Sequence, residues 1–151
     1  MSDIGELDQP VAEVPDGFEP IDAPAPFLHK NGPLFVSREG GTFRLGMFVS
    51  PEHCNPRGDC HGGWLATLMD AQLPLYGMHA VGLPRAQVAT VSMSLDYLAP
   101  VRAGSWIEGS ATLLRRTSRL MFLQGMLNVG GEPVLRGSGV WRIFSQSITQ
   151  A

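Results

Sequence analysis

His53-Cys54-Asn55-Pro56-Arg57-Gly58-Asp59-Cys60-His61-Gly62-Gly63-Trp64-Leu65-Ala66-Thr67-Leu68-Met69-Asp70 begins as a polar loop and ends inside an apolar helix. Asn55-Pro56 and Arg57-Gly58 are turn-forming pairs, and Gly62-Gly63 marks a point where another group approaches the backbone closely. From Trp64 to Tyr76 nearly every residue is apolar, and a single acid, Asp70, stands in the middle. The run predicts a helix from about Gly62 to about Val81. At about 100° per residue, Trp64, Leu65, Leu68, Met69, Leu73, Leu75 and Tyr76 cover most of its circumference, so the helix is buried rather than laid on a surface. The remaining narrow sector holds Thr67, Asp70 and Pro74. Pro74 removes the helical donor to the carbonyl of Asp70, and a bend is expected there.

Outward from this helix the chain reads as strands. Leu34-Phe35-Val36-Ser37-Arg38 and Thr42-Phe43-Arg44-Leu45-Gly46-Met47-Phe48-Val49 flank a Glu39-Gly40-Gly41 turn before the helix. After it, Thr90-Val91-Ser92-Met93-Ser94-Leu95-Asp96-Tyr97 alternates small or polar residues with large apolar ones. That alternation puts Thr90, Ser92, Ser94 and Asp96 on one face. Further strands are expected at about 105–115, 119–129 and 133–145, with Gly130-Gly131 as a hairpin turn. Two strands, one long buried helix and four strands make an α+β plan, a six-stranded antiparallel sheet curled around one helix.

Upstream, residues 1–26 are acidic and proline-rich and read as a flexible or surface-hugging arm that Phe18 and Ile21 could pin locally. Ordered structure is expected from near Phe27-Leu28, opening with a short helical turn, so residues 27–151 form the domain. The arm holds seven of the fourteen acids and no base. The rest therefore carries eleven bases against seven acids, or +4, which suits a small phosphate-bearing ligand. There is no clustered basic stripe to suggest nucleic acid.

A chain of 151 residues can bury a core without disulfides or metal. No apolar run reaches the roughly 18 residues of a membrane span. The first residues show no basic region followed by an apolar one, so no secretory signal is expected. Two cysteines six positions apart make a disulfide framework unexpected, and a reducing cytoplasm is the expected compartment. His53, Cys54, Cys60 and His61 include zinc-ligand types, but no second cluster and no recognised spacing accompany them. Cys60 has no sequence-visible base to make it a nucleophile.

Asn55, Gly58, His61-Gly62-Gly63 and Asp70, with Asp96-Tyr97-Leu98-Ala99-Pro100 later, resemble the hotdog-fold thioesterases of the phenylacetate-pathway (PaaI-like) type. The resemblance spans about residues 30–145. It implies a homodimer whose sheets join edge to edge, commonly paired again into a tetramer, with sites at the dimer interface that hydrolyse acyl-CoA thioesters. It implies no metal and no cofactor, coenzyme A being part of the substrate. The helix geometry agrees about the interface. Gly62 and Asp70 lie about 12 Å apart along the axis, so one substrate carbonyl cannot meet both within one chain.

Each candidate residue has a functional and a plainer reading. Asp70 would attack the thioester or act as general base toward water; it could equally be a buried acid bonded to backbone in a kinked helix. The Gly62 amide, with that of Gly63, would polarise the carbonyl at the positive helix end, or the glycines merely allow the junction to pack. Asn55 would orient the carbonyl or the water, or simply form a turn. His61 would border the thioester or fix the loop. By resemblance Thr90 would hold the hydrolytic water, against its being part of a strand's polar side. Thr67 lies beside Asp70 on the helix and is a substrate-contact candidate. Arg115, Arg116 and Arg119 flank a strand turn and could bind CoA phosphates or be solvated surface residues. Two rivals share the fold. One is a non-catalytic acyl-CoA-binding protein, against which the presence of Asp70 counts. The other is a hydratase or dehydratase, which would pair a histidine with an acid, whereas His61 precedes the glycines.

Overall fold

In a computed structural model the described residues are 12–22, 25–83 and 87–144. The elements in chain order are β1 (Glu19–Pro20), α1 (Pro26–Asn31), β2 (Phe35–Ser37), β3 (Arg44–Phe48), α2 (Gly62–Ala80), β4 (Val88–Tyr97), β5 (Trp106–Arg116), β6 (Leu120–Val129) and β7 (Glu132–Ile143). All strands join one antiparallel sheet in the order β1-β2-β3-β5-β6-β7-β4. Gly130 and Gly131, at φ 57° and 83°, make the tight turn between β6 and β7, the glycine-favouring conformation such a hairpin needs.

The sheet has seven strands where six are expected. The seventh, β1, comes from the stretch read as an arm. Phe18 meets the Trp106 ring edge-on at 5.2 Å, and the Ile21 amide donates to the Leu34 carbonyl at 3.0 Å. Those two apolar residues place β1 on the edge of β2, so described structure starts upstream of Phe27. Residues 1–11 and 23–24 lie outside the described residues.

α2 lies in the hollow of the sheet, the hotdog arrangement. Its Leu68, Met69 and Leu73 are at most 2% exposed and pack with Met121, Leu123, Leu135 and Trp141 from the strands. The helix continues through Pro74, which is buried. One polar side chain enters this core without a sequence signal. Gln72, fully buried, accepts from the Leu45 amide at 2.7 Å and donates to the Phe43 carbonyl at 2.8 Å. Gln72 thus serves the part of β3 that has not yet paired with β5. It fits because residue 109 is glycine, where a Cβ would lie 2.2 Å from Gln72 Oε1. Among the described residues no helix is long and apolar enough to cross a membrane.

The alternation of β4 is interrupted. Thr90 pairs with Trp141 and Ser92 with Val140, leaving Val91 as a bulge. One extra residue reverses the facing of everything before it. Thr90 therefore points inward with Met93, Leu95 and Tyr97, not outward with Ser92, Ser94 and Asp96. Val91 instead is 60% exposed. This corrects the single polar face read from the sequence and has a direct consequence for the site.

Candidate active site

The loop before α2 is built by its own polar groups. Asn55 Oδ1 accepts from the amides of Arg57 at 2.9 Å and Asp59 at 3.3 Å, while the Gly58 amide donates to the Asn55 carbonyl at 2.9 Å. Asn55 is therefore a turn residue, and its Nδ2 donor has no partner among the described residues. Cys54 and Cys60 face each other across a short antiparallel bridge. Burial, and secondarily Cys54, push the Cys60 thiol from 9.0 up to about 12, so it stays protonated. His53 stacks on Trp64 with ring centroids 4.9 Å apart, and its Nδ1 accepts from the Ser50 amide at 3.0 Å. Loop and helix start are thereby locked together.

At the helix start, His61 is the N-cap. Its Nδ1 accepts from the Gly63 amide at 2.8 Å, and its carbonyl accepts from the Trp64 and Leu65 amides. In this arrangement His61 fixes the helix end, and the Gly63 amide is engaged. That corrects the expectation of a second free amide: only Gly62 retains an N–H with no partner among the described residues. The Gly62 carbonyl is held by the Tyr97 hydroxyl, which donates at 2.6 Å. A Cβ on residue 62 would come within 3.2 Å of the Tyr97 ring, so glycine is also what lets this strand end approach the helix.

Two turns further along, Asp70 meets Thr90. The Thr90 hydroxyl donates to Asp70 Oδ1 at 2.6 Å, and the indole of the buried Trp141 donates to the same oxygen at 3.3 Å. Oδ2 has no partner among the described residues. Asp70 is thus a part-buried carboxylate with one oxygen fixed and one open. Thr67 does not join it: its hydroxyl donates to the Gly63 carbonyl at 2.9 Å.

Within one chain these residues form separate groups. Asn55 and Gly62 line a cleft of about 350 Å³ with Tyr97, Leu98 and Pro100. His61, Gly63 and Thr67 line a second, of about 320 Å³, with Phe27, His53 and Trp64. Asp70 and Thr90 lie about 12 Å along the helix from Gly62. Arg115 and Arg116 are exposed on β5. The cross-strand row Arg116–Met121–Trp141–Thr90 puts them at the Asp70 end of the sheet, three strands from Thr90. Trp141 and the Tyr97 hydroxyl are site groups that sequence reasoning missed. Trp141 carries no local signal, whereas Tyr97 belongs to the Asp96–Pro100 motif, whose spacing assigns it no role.

A His-capped central helix wrapped by a curled antiparallel sheet, with a free amide at the helix start and a carboxylate two turns on, places the chain among the hotdog-fold proteins. The chain belongs to the thioesterase superfamily, whose sequence model matches residues 57–132. It is 31% identical over 131 residues to a provisionally named esterase of Pseudomonas aeruginosa, covering 86% of this chain and 97% of that one. Among solved structures, the PaaI protein of the Escherichia coli phenylacetic acid degradation operon superposes with a TM-score of 0.66 at 19% identity, covering 77% of this chain and 83% of that one. A Bacillus halodurans protein crystallised with CoA gives 0.64 at 24% identity, covering 72% of each. These two likenesses establish the fold.

Proposed function

We propose that the protein hydrolyses an acyl-CoA thioester to a carboxylic acid and free CoA. The observation that carries this reading is the Asp70 carboxylate, with Oδ1 held by Thr90 and Trp141 and Oδ2 open. Oδ2 takes a proton from water as the water oxygen bonds to the carbonyl carbon. The Gly62 amide receives the developing oxyanion, aided by the positive end of α2 and by the Asn55 Nδ2 donor. The carbon–sulfur bond then breaks, and the proton passes to the leaving thiolate. Membership of the superfamily and the CoA-bound fold neighbour support the substrate class.

Because one chain holds Asp70 and Gly62 too far apart for one carbonyl, the working unit in this reading is a homodimer with each site between protomers. β4 supports that assembly. It is the longer of the two edge strands, ten residues with no outer neighbour among the described residues, and such an edge calls for a cover.

Thiol release from a panel of acyl-CoAs tests the proposal against Asp70→Asn, which keeps the shape of the side chain. Wild-type turnover that falls at least ~100-fold in the folded variant is the expected result, the scale of losing a general base. Equal turnover by the two proteins would remove Asp70 from the reaction. CoA binding without turnover on any panel member would make this a ligand-binding member of the fold.

A further inference from the structure

The cleft beside Gly62 has a basic rim that the chemistry above does not use. Asp59 stands in its wall with a side chain only 17% exposed, and two guanidinium groups converge on it. Arg57 Nε lies 3.8 Å from Oδ2, and Arg102 Nε lies 3.2 Å from Oδ1. Backbone structure places both. Arg57 is at the tip of the Asn55 turn, and Arg102 is bridged to Asp59 while the Cys60 amide donates to the Val101 carbonyl at 2.7 Å. Each arginine meets Asp59 through Nε, so the terminal nitrogens have no partner among the described residues and the side chains are 81% and 72% exposed. By contrast, Arg38, Arg44 and Arg136 each pair with an acid of their own. Two guanidinium groups on one carboxylate leave a net positive charge beside the cleft, which Arg57 lines and Arg102 adjoins through Val101.

We propose that Arg57 and Arg102 bind a phosphate of the substrate's thiol half. A cleft of about 350 Å³ suits the thin amide arm that joins thiol to phosphate, with the bulky nucleotide left outside on the rim. The arm enters past Tyr97 and Leu98 and brings the thioester carbonyl to Gly62. The planar guanidinium fork matches phosphate oxygens, and the ion pairs with Asp59 keep both arginines near the cleft. This assignment rests on the acyl-CoA reading but is tested without turnover.

Calorimetry with CoA and with pantetheine, which lacks phosphate, measures it directly. The proteins are the wild type, Arg57→Ala, and Asp59→Asn/Arg102→Ala, the last removing the carboxylate together with its nearer partner. Arg115→Ala/Arg116→Ala is the comparison pair at the other end of the sheet. CoA binding is expected to weaken about tenfold for each arginine lost from the rim, with a flatter salt dependence. Pantetheine binding is expected to be unchanged in every variant, and the comparison pair to bind CoA as the wild type does. Wild-type affinity for CoA in the rim variants overturns the assignment, as does a loss confined to the Arg115/Arg116 pair or a wild type that binds no CoA. Failure of the hydrolysis reading looks different: CoA binds and responds to the rim variants, yet no acyl-CoA or acyl-pantetheine releases thiol.

Discussion

Asp70 has two donors on one oxygen, and this asymmetry makes Thr90 and Trp141 positioning residues for the proposed base. Thr90→Val keeps the shape and removes the shorter bond, leaving Trp141 as the donor on Oδ1. We expect kcat to fall roughly tenfold with KM little changed, the scale of one hydrogen bond to a charged group. A rise in KM alone would place Thr90 in substrate binding instead. Cys60 offers a second single-residue test. Its thiol rises from 9.0 to about 12 in the folded protein, chiefly through burial. Its contribution to stability is therefore complete below pH ~9 and is lost as pH rises toward ~12, because the unfolded chain releases the proton first. Urea midpoints followed upward from pH ~8 should decline less steeply in Cys60→Ala than in the wild type. Parallel declines would show that the thiol is not buried in solution.

Gly62 shows how an element can be tested through its backbone. Proline is well tolerated at the first position of a helix and has no N–H. His61, at φ −59° and ψ 132°, already has the extended conformation that a following proline requires. Gly62→Pro should thus keep α2 while removing the proposed oxyanion donor. The Tyr97 ring has to yield by a few tenths of an ångström, which its 53% exposure allows. We expect kcat to drop about 100-fold or more with the circular-dichroism spectrum and urea midpoint near those of the wild type, the scale of a lost oxyanion donor. Unchanged turnover would rule out the amide. At this scale the sequence was informative where signals are local. The glycine pair and the largely apolar run mark α2, which ends at Ala80, and Gly130-Gly131 marks the β6–β7 turn. It misled where facing depends on pairing. The bulge at Val91 is set by how β4 registers on β7, so strict alternation placed Thr90 on the wrong face. Gln72 and Trp141 are likewise products of tertiary contact, invisible to spacing along one strand or helix. The engagement of the Gly63 amide by His61 is instead a local cap over two residues that the reading of the glycine pair passed over.

At the scale of the whole molecule, helix length governs the argument. With Gly62 and Asp70 about 12 Å apart on one rigid helix, a thioester polarised at the first is out of reach of the second in the same chain. Two-fold pairing along the free edge of β4 would bring the start of one α2 toward Asp70 of its partner, giving two equivalent sites per dimer. This arrangement makes a quantitative prediction from two inactive proteins. In a heterodimer of Asp70→Asn with Gly62→Pro, one site collects both substitutions and the other has neither. Random exchange at equal concentrations makes half the dimers mixed, so mixing should restore about a quarter of wild-type turnover. The experiment requires unfolding and refolding the two proteins together, with refolded single variants as controls. If both residues served the same chain's site, every site in the mixture would carry one lesion, and activity would stay at the level of the controls. Restored turnover would therefore show that Gly62 and Asp70 act across the interface, and its absence in a demonstrably mixed dimer would return both residues to one protomer.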